Sequence, residues 1–102
     1  MTSLRVLVGD DDELMREALK SFLEAAPDID VVGTAGEGVA AVELAERLRP
    51  DVVVLDMQMP RQDGVATTRE LQKRRPEIRV LAVSSFATDR YVIAALREGA
   101  SG

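Results

Sequence analysis

A doubly wound α/β fold around a parallel sheet is predicted by two observations. Short apolar runs at 4–8, 30–35, 51–55 and 79–83 alternate with longer segments of helical period, in the order β-α-β-α-β-α-β-α. The run Val52 to Leu55 has no polar alternation, which suits a strand covered on both faces. Short connections and right-handed crossovers then place helices on both sides of the sheet.

Leu4 to Val8 reads as the first strand, interrupted only by Arg5, and it runs into Gly9-Asp10-Asp11-Asp12-Glu13. Any of the three aspartates could cap the next helix, with Asp12 well placed as the N-cap or in the first turn. From Leu14 the period is helical. Leu14, Ala18, Leu19, Phe22 and Leu23 form one stripe, while Arg16, Glu17, Lys20 and Glu24 face away, and Pro27 ends the region. Asp30 to Ala35 is the second strand, weakened by Gly33 and expected at an edge. Gly36-Glu37-Gly38 turns the chain into a helix from Val39 to Leu48, which offers Val39, Val42, Leu44, Ala45 and Leu48 to the sheet.

Pro50 closes that helix, and Asp51 to Leu55 forms the central strand. Asp56 is then the first polar side chain at its carboxyl end, where open α/β sheets place their chemistry. Pro60 stops any further ladder. Arg61 to Gly64 is a loop, with Gly64 expected at positive φ. Val65 to Arg75 is the third helix and Arg79 to Val83 the fourth strand, followed by Ser84 and Ser85. Asp89 to Glu98 makes a fourth helix, stopped by Gly99.

At 102 residues the chain is at most one domain, assigned to 1–102. Apolar residues make up 46%, too many for a disordered chain, and aromatics only 3%, so the core is built from Val, Leu, Ala and Met. The absence of Cys and His removes disulfides, the usual zinc sites and imidazole bases. A net charge of −5 argues against non-specific nucleic-acid binding. No segment is apolar enough to span a bilayer, and the start lacks the pattern of a signal peptide, so a cytoplasmic protein without membrane contact is expected.

Asp10 and Asp11 follow one strand and Asp56 another. If those strands are neighbours, three carboxylates converge, and like charges that close call for a cation. An all-oxygen set suits Mg²⁺, or Mn²⁺, and not zinc. Ser84 and Ser85 stand at a third strand end, where a hydroxyl can donate to an anionic oxygen. Cation, hydroxyl and an in-line carboxylate make a phosphoryl-accepting arrangement.

These residues resemble the receiver domain of bacterial two-component response regulators, a CheY-like, flavodoxin-like fold. The acidic pair Asp10-Asp11, the acceptor Asp56 within LDMQMP, the Pro60 to Gly64 spacing and the hydroxyl residue Ser84 carry the likeness. The wording RVLVGDDDELMREAL, VVGTAGEG and VIAALREGASG is most similar to the branch with a LuxR-type helix-turn-helix output domain. The resemblance implies strand order 2-1-3-4, with the family's fifth strand and helix missing. It implies that Asp56 receives a phosphoryl group from a sensor histidine kinase. Mg²⁺ would be held by Asp11, Asp56 and the backbone carbonyl of Gln58, with Asp10 acting directly or through water. Ser84 would bond to the phosphoryl group with Ser85 beside it, and Met57 could partly cover the acceptor. The role is that of a switch and not a conventional enzyme.

The family's Lys after strand five would lie beyond Gly102, and Lys20 and Lys73 fall within helices. Two explanations stand: a piece of a longer product, or a short receiver that completes its sheet as a homodimer or by element exchange. The alternative function is a phosphorylation-independent interaction or assembly module. A Mg²⁺-dependent phosphohydrolase is disfavoured because residue 58 is Gln and no insertion could form a cap. DNA contact would belong to a domain absent from this chain.

Overall fold

The computed structural model describes residues 3–56 and 64–83. Its elements are β1 (Leu4–Gly9), α1 (Glu13–Glu24), β2 (Ile29–Ala35), α2 (Gly38–Leu48), β3 (Val52–Asp56), α3 (Gly64–Arg74) and β4 (Arg79–Val83). The four strands form one parallel sheet in the order β2-β1-β3-β4. This is the doubly wound fold and strand order expected, with β2 at an edge and β3 between β1 and β4. The helix expected at 89–98 lies outside the described residues.

Because the crossover β1→β2 runs one way along the sheet and β2→β3→β4 the other, a common right-handed sense sends α1 to one face and α2 and α3 to the opposite one. The core divides accordingly. Val6, Val8, Val52 and Val54 pack with Leu23, Ile29 and Val31 on the α1 side. Leu7, Val53 and Leu55 pack with Ala41, Val42, Ala45, Leu71 and Ile78 on the other. Alternate residues of the same apolar run therefore enter different clusters, which is why these strands show no polar alternation.

Only part of α1 meets the sheet. Leu23 is buried and Leu19 and Phe22 are half-buried, but Leu14 is 78% exposed and Ala18 is exposed too. The expected stripe is thus corrected at its amino-terminal end, where Leu14 and Ala18 face solvent. Val39 is likewise exposed at the start of α2, where Ala41 takes the buried position instead. Leu44 and Leu48 are half-buried against the second cluster.

Gly64 opens α3, and among the described residues the positive φ belongs to Arg49 and to no glycine. Arg49 sits left-handed at φ 49° as the C-cap of α2, its N–H donating to the Ala45 carbonyl before Pro50 ends the helix. Asp51 precedes β3 instead of opening it. Its Oδ2 accepts from the Arg5 N–H at 2.9 Å and its own N–H donates to the Arg5 carbonyl, while Arg5 Nη1 donates to the Arg49 carbonyl. These bonds fasten the amino ends of β1 and β3 together.

A bulge between Val6 and Leu7 lets two residues of β2 pass one step of β1, so Val6 pairs with Val31 and Leu7 with Gly33. A Cβ at Gly33 would stand 2.9 Å from Leu48 Cδ1, so any side chain there obliges Leu48 of α2 to shift. On the surface, Arg74 joins α3 to α2, donating to Glu70 at 2.6 Å and Glu46 at 3.1 Å. Glu70's hydrogen bond and charge, with a smaller share from Glu46, raise the Arg74 pKa. Such exposed pairs contribute little stability.

Thr67 of α3 is fully buried, and its Oγ1 has no hydrogen-bond partner among the described residues. A hydroxyl in that state costs desolvation without compensation. Thr67→Val keeps the shape and removes the penalty, so a gain of about 1 kcal/mol is expected in urea denaturation. A loss would show that the hydroxyl is satisfied in solution.

Candidate functional site

The carboxyl ends of β1 and β3 define the site. The chain leaves β1 toward β2 on one side and later returns past β1 to β3 on the other. The crevice between β1 and β3 is therefore the topological switch point, where ligands bind in open α/β sheets. Gly9 is the register partner of Leu55, and neighbouring strands run about 4.8 Å apart. The next residues, Asp10 and Asp56, consequently stand side by side along the backbone at one edge of the sheet. Asp56 is in turn the register partner of Val83, the last residue of β4.

Each acid of the first loop is held differently. Asp10 is buried, with 9% exposure; its N–H donates to the Ala35 carbonyl and its Oδ1 accepts from the Asp12 N–H at 2.9 Å. Asp11 is exposed, and its carboxylate makes no hydrogen bond or ion pair among the described residues. Asp12 is the N-cap of α1: its Oδ1 accepts from the Leu14 and Met15 amides at 3.0 and 3.3 Å. Of the two roles open to Asp12 in the sequence, capping is the one these bonds show.

Arg16 is the residue that sequence periodicity missed. Expected to face away, it is half-buried, and its Nη1 donates to the backbone carbonyl of Asp10 at 2.8 Å. The only signal available was its position, four residues after the N-cap aspartate and so above the loop that precedes the helix.

Met57, Gln58, Pro60, Ser84 and Ser85 lie outside the described residues, and Asp56 is described by its backbone alone. Among the described residues no group of three or more His, Cys, Asp or Glu is placed to hold a metal. A separate cleft of about 430 Å³ opens at the opposite edge of the sheet, between Arg49, Pro50, Asp51 and Ile78. Leu4, Val52 and Arg79, the first residues of β1, β3 and β4, also line it, so that cleft lies at the amino ends of the strands, opposite the acids at their carboxyl ends.

Gly9 shapes the floor of the crevice. A Cβ there would stand 2.8 Å from Leu55 Cδ1, in the buried core. Gly9→Ala forces Leu55 to shift, an overpacking cost of about 1–3 kcal/mol. Restricting the unfolded chain returns about 0.4–1 kcal/mol. A net loss of about 1 kcal/mol is expected in urea denaturation, relieved when Leu55→Val is combined with it. Additive effects of the two substitutions would show that the side chains do not meet.

Residues 6–102 match the response regulator receiver domain. The chain belongs to that family. The receiver is 39% identical over 99 residues to the transcriptional regulatory protein DegU of Brevibacillus brevis, covering 97% of this chain and 42% of the relative. It is 46% identical over 100 residues to a protein-glutamate methylesterase/protein-glutamine glutaminase of Alkalilimnicola ehrlichii, covering 96% of this chain and 25% of the relative. The response regulator domain of Thermotoga maritima CheB superposes with a TM-score of 0.77 at 40% identity, covering 95% of this chain and 73% of that one. The receiver thus spans less than half the length of the curated relatives it matches. The family is that of a regulatory domain in two-component signalling and not of an enzyme domain. No helix among the described residues is long and apolar enough to cross a membrane.

Proposed function

We propose that this receiver is a phosphorylation-dependent switch that accepts a phosphoryl group on Asp56 from a sensor histidine kinase. The observation that carries the proposal is the β1–β3 register, which brings Asp10 and Asp56 to adjacent positions at the switch point. A carboxylate oxygen of Asp56 forms the new O–P bond as the P–N bond to the kinase imidazole breaks. In this role Ser84 would donate to a phosphoryl oxygen, with Ser85 as its neighbour in sequence, Met57 would tune access to the acceptor, and Pro60 and Gly64 would support the switch.

The residues present fit a hard cation. Their donors are all oxygen, the Asp11 carboxylate is uncommitted among the described residues, and Asp10 is an acid buried beside it. Asp11, Asp56 and the Gln58 carbonyl would hold Mg²⁺, with Asp10 contributing directly or through water. When bound, the ion supplies neutralisation of charge on the phosphoryl oxygens.

The added charge on Asp56 would redistribute the loops after β3 and β4 and so act on an output domain. Similarity to DegU, named as a transcriptional regulatory protein, favours a transcriptional output, and the resemblance of the segments around Asp10 and Gly36 to the LuxR-type branch favours a DNA-binding one. The methylesterase relative shows that likeness in the receiver can accompany a different output. The test is mass spectrometry after incubation with acetyl phosphate and Mg²⁺, where one added phosphoryl group is expected and no adduct overturns the proposal.

A further inference from the structure

Arg16 is a charged side chain beside the crevice that phosphoryl acceptance leaves unused. It follows three successive aspartates, yet among the described residues it makes no ion pair with any carboxylate. A guanidinium so placed ordinarily forks onto a carboxylate. Here it donates instead to the backbone carbonyl of Asp10, at 2.8 Å and half-buried.

That carbonyl belongs to the peptide joining Asp10 to Asp11. Holding it sets the plane of this peptide and hence the direction in which Asp11 leaves the loop. The flanking groups are tied as well, through Asp10 N–H to the Ala35 carbonyl, Asp12 N–H to Asp10 Oδ1 and Arg16 N–H to the Asp12 carbonyl. Asp11 is left between fixed neighbours with its own carboxylate uncommitted among the described residues. The β2–α2 turn makes room for this arrangement, since a Cβ at Gly36 would stand 3.0 Å from Arg16 Nη1.

We propose that Arg16 is a positioning residue for the cation site, orienting Asp11 through the Asp10 carbonyl without touching the ion. This rests on the cation assignment made above for Asp10 and Asp11. It carries a sign that simple electrostatics does not. A guanidinium beside the acids repels Mg²⁺, so deleting its charge alone should tighten binding. Deleting an outer-shell positioning group should weaken it, typically by about 10–100-fold.

Calorimetric titration of the intact protein with MgCl₂, without phosphodonor, separates the two. Arg16→Met is expected to bind Mg²⁺ about tenfold more weakly, and Arg16→Lys, which keeps one donor, to recover part of the loss. Gly36→Ala crowds Nη1 while keeping the guanidinium and its charge, and should weaken binding in the same direction by less. It also serves if Arg16→Met fails to fold. Equal or tighter binding by Arg16→Met, or by Gly36→Ala if only that variant folds, overturns the proposal. Asp11→Asn distinguishes the underlying assignment: if it leaves Mg²⁺ affinity unchanged, the cation site itself is wrong. If it weakens binding while the Arg16 variant does not, only the positioning role falls.

Discussion

Asp56→Asn is expected to abolish the mass gain that acetyl phosphate and Mg²⁺ produce in the wild-type receiver. The change replaces one oxygen with an amide nitrogen of nearly the same size. It removes the anionic charge from the nucleophile and leaves an amide oxygen that cannot form an acyl phosphate. Backbone pairing of Asp56 with Val83 involves no side-chain atom, so the sheet should survive the substitution. Unchanged far-ultraviolet circular dichroism together with loss of the adduct is the expected pair of results. A variant that still gains one phosphoryl group would move the acceptor to another residue and break the link between the β1–β3 register and the chemistry.

Leu55→Ala should cost about 2–5 kcal/mol of stability. Leu55 is fully buried beneath the crevice, packed with Leu7, Val53, Ala41 and Leu71. Its truncation forfeits the transfer energy of the methine and two methyl groups removed and leaves a cavity that a sheet covered on both faces closes only in part. Domains of this size hold about 5–15 kcal/mol in total. With a urea dependence of about 1–3 kcal/mol per molar, the midpoint should fall by about 1 M or more. Leu14→Ala, the same change at a side chain 78% exposed, should stay within about 0.5 kcal/mol of wild type. Comparable losses at both positions would contradict the burial described for α1.

The strands were legible because their apolar runs are short, rich in Val and bounded by polar or turn-forming residues, and each observed strand falls within a residue or two of its expected span. The acids of the site were legible for a related reason: they stand directly after such runs, and a parallel sheet sends every strand's carboxyl end to the same edge. Less was legible on the helices. Leu14 and Leu23 satisfy the same helical period, yet one is solvent-exposed and the other fully buried. A period defines which residues share a face, but not how far along the helix the sheet extends beneath it. Gly33 looked like a weakness in β2 and proves to be where Leu48 of α2 comes closest.

Local order along the chain already specifies the alternation of elements, the apolar strands and the acids that follow two of them, since each depends on neighbours within a few positions. Folding in three dimensions was needed to bring the backbones of Asp10 and Asp56 side by side, to bury Leu23 of α1 while Leu14 stays exposed, and to turn Arg16 inward to the Asp10 carbonyl. Those outcomes depend on the relative placement of segments tens of residues apart, set by the direction of each crossover and the register of β1 on β3, and no local period encodes them.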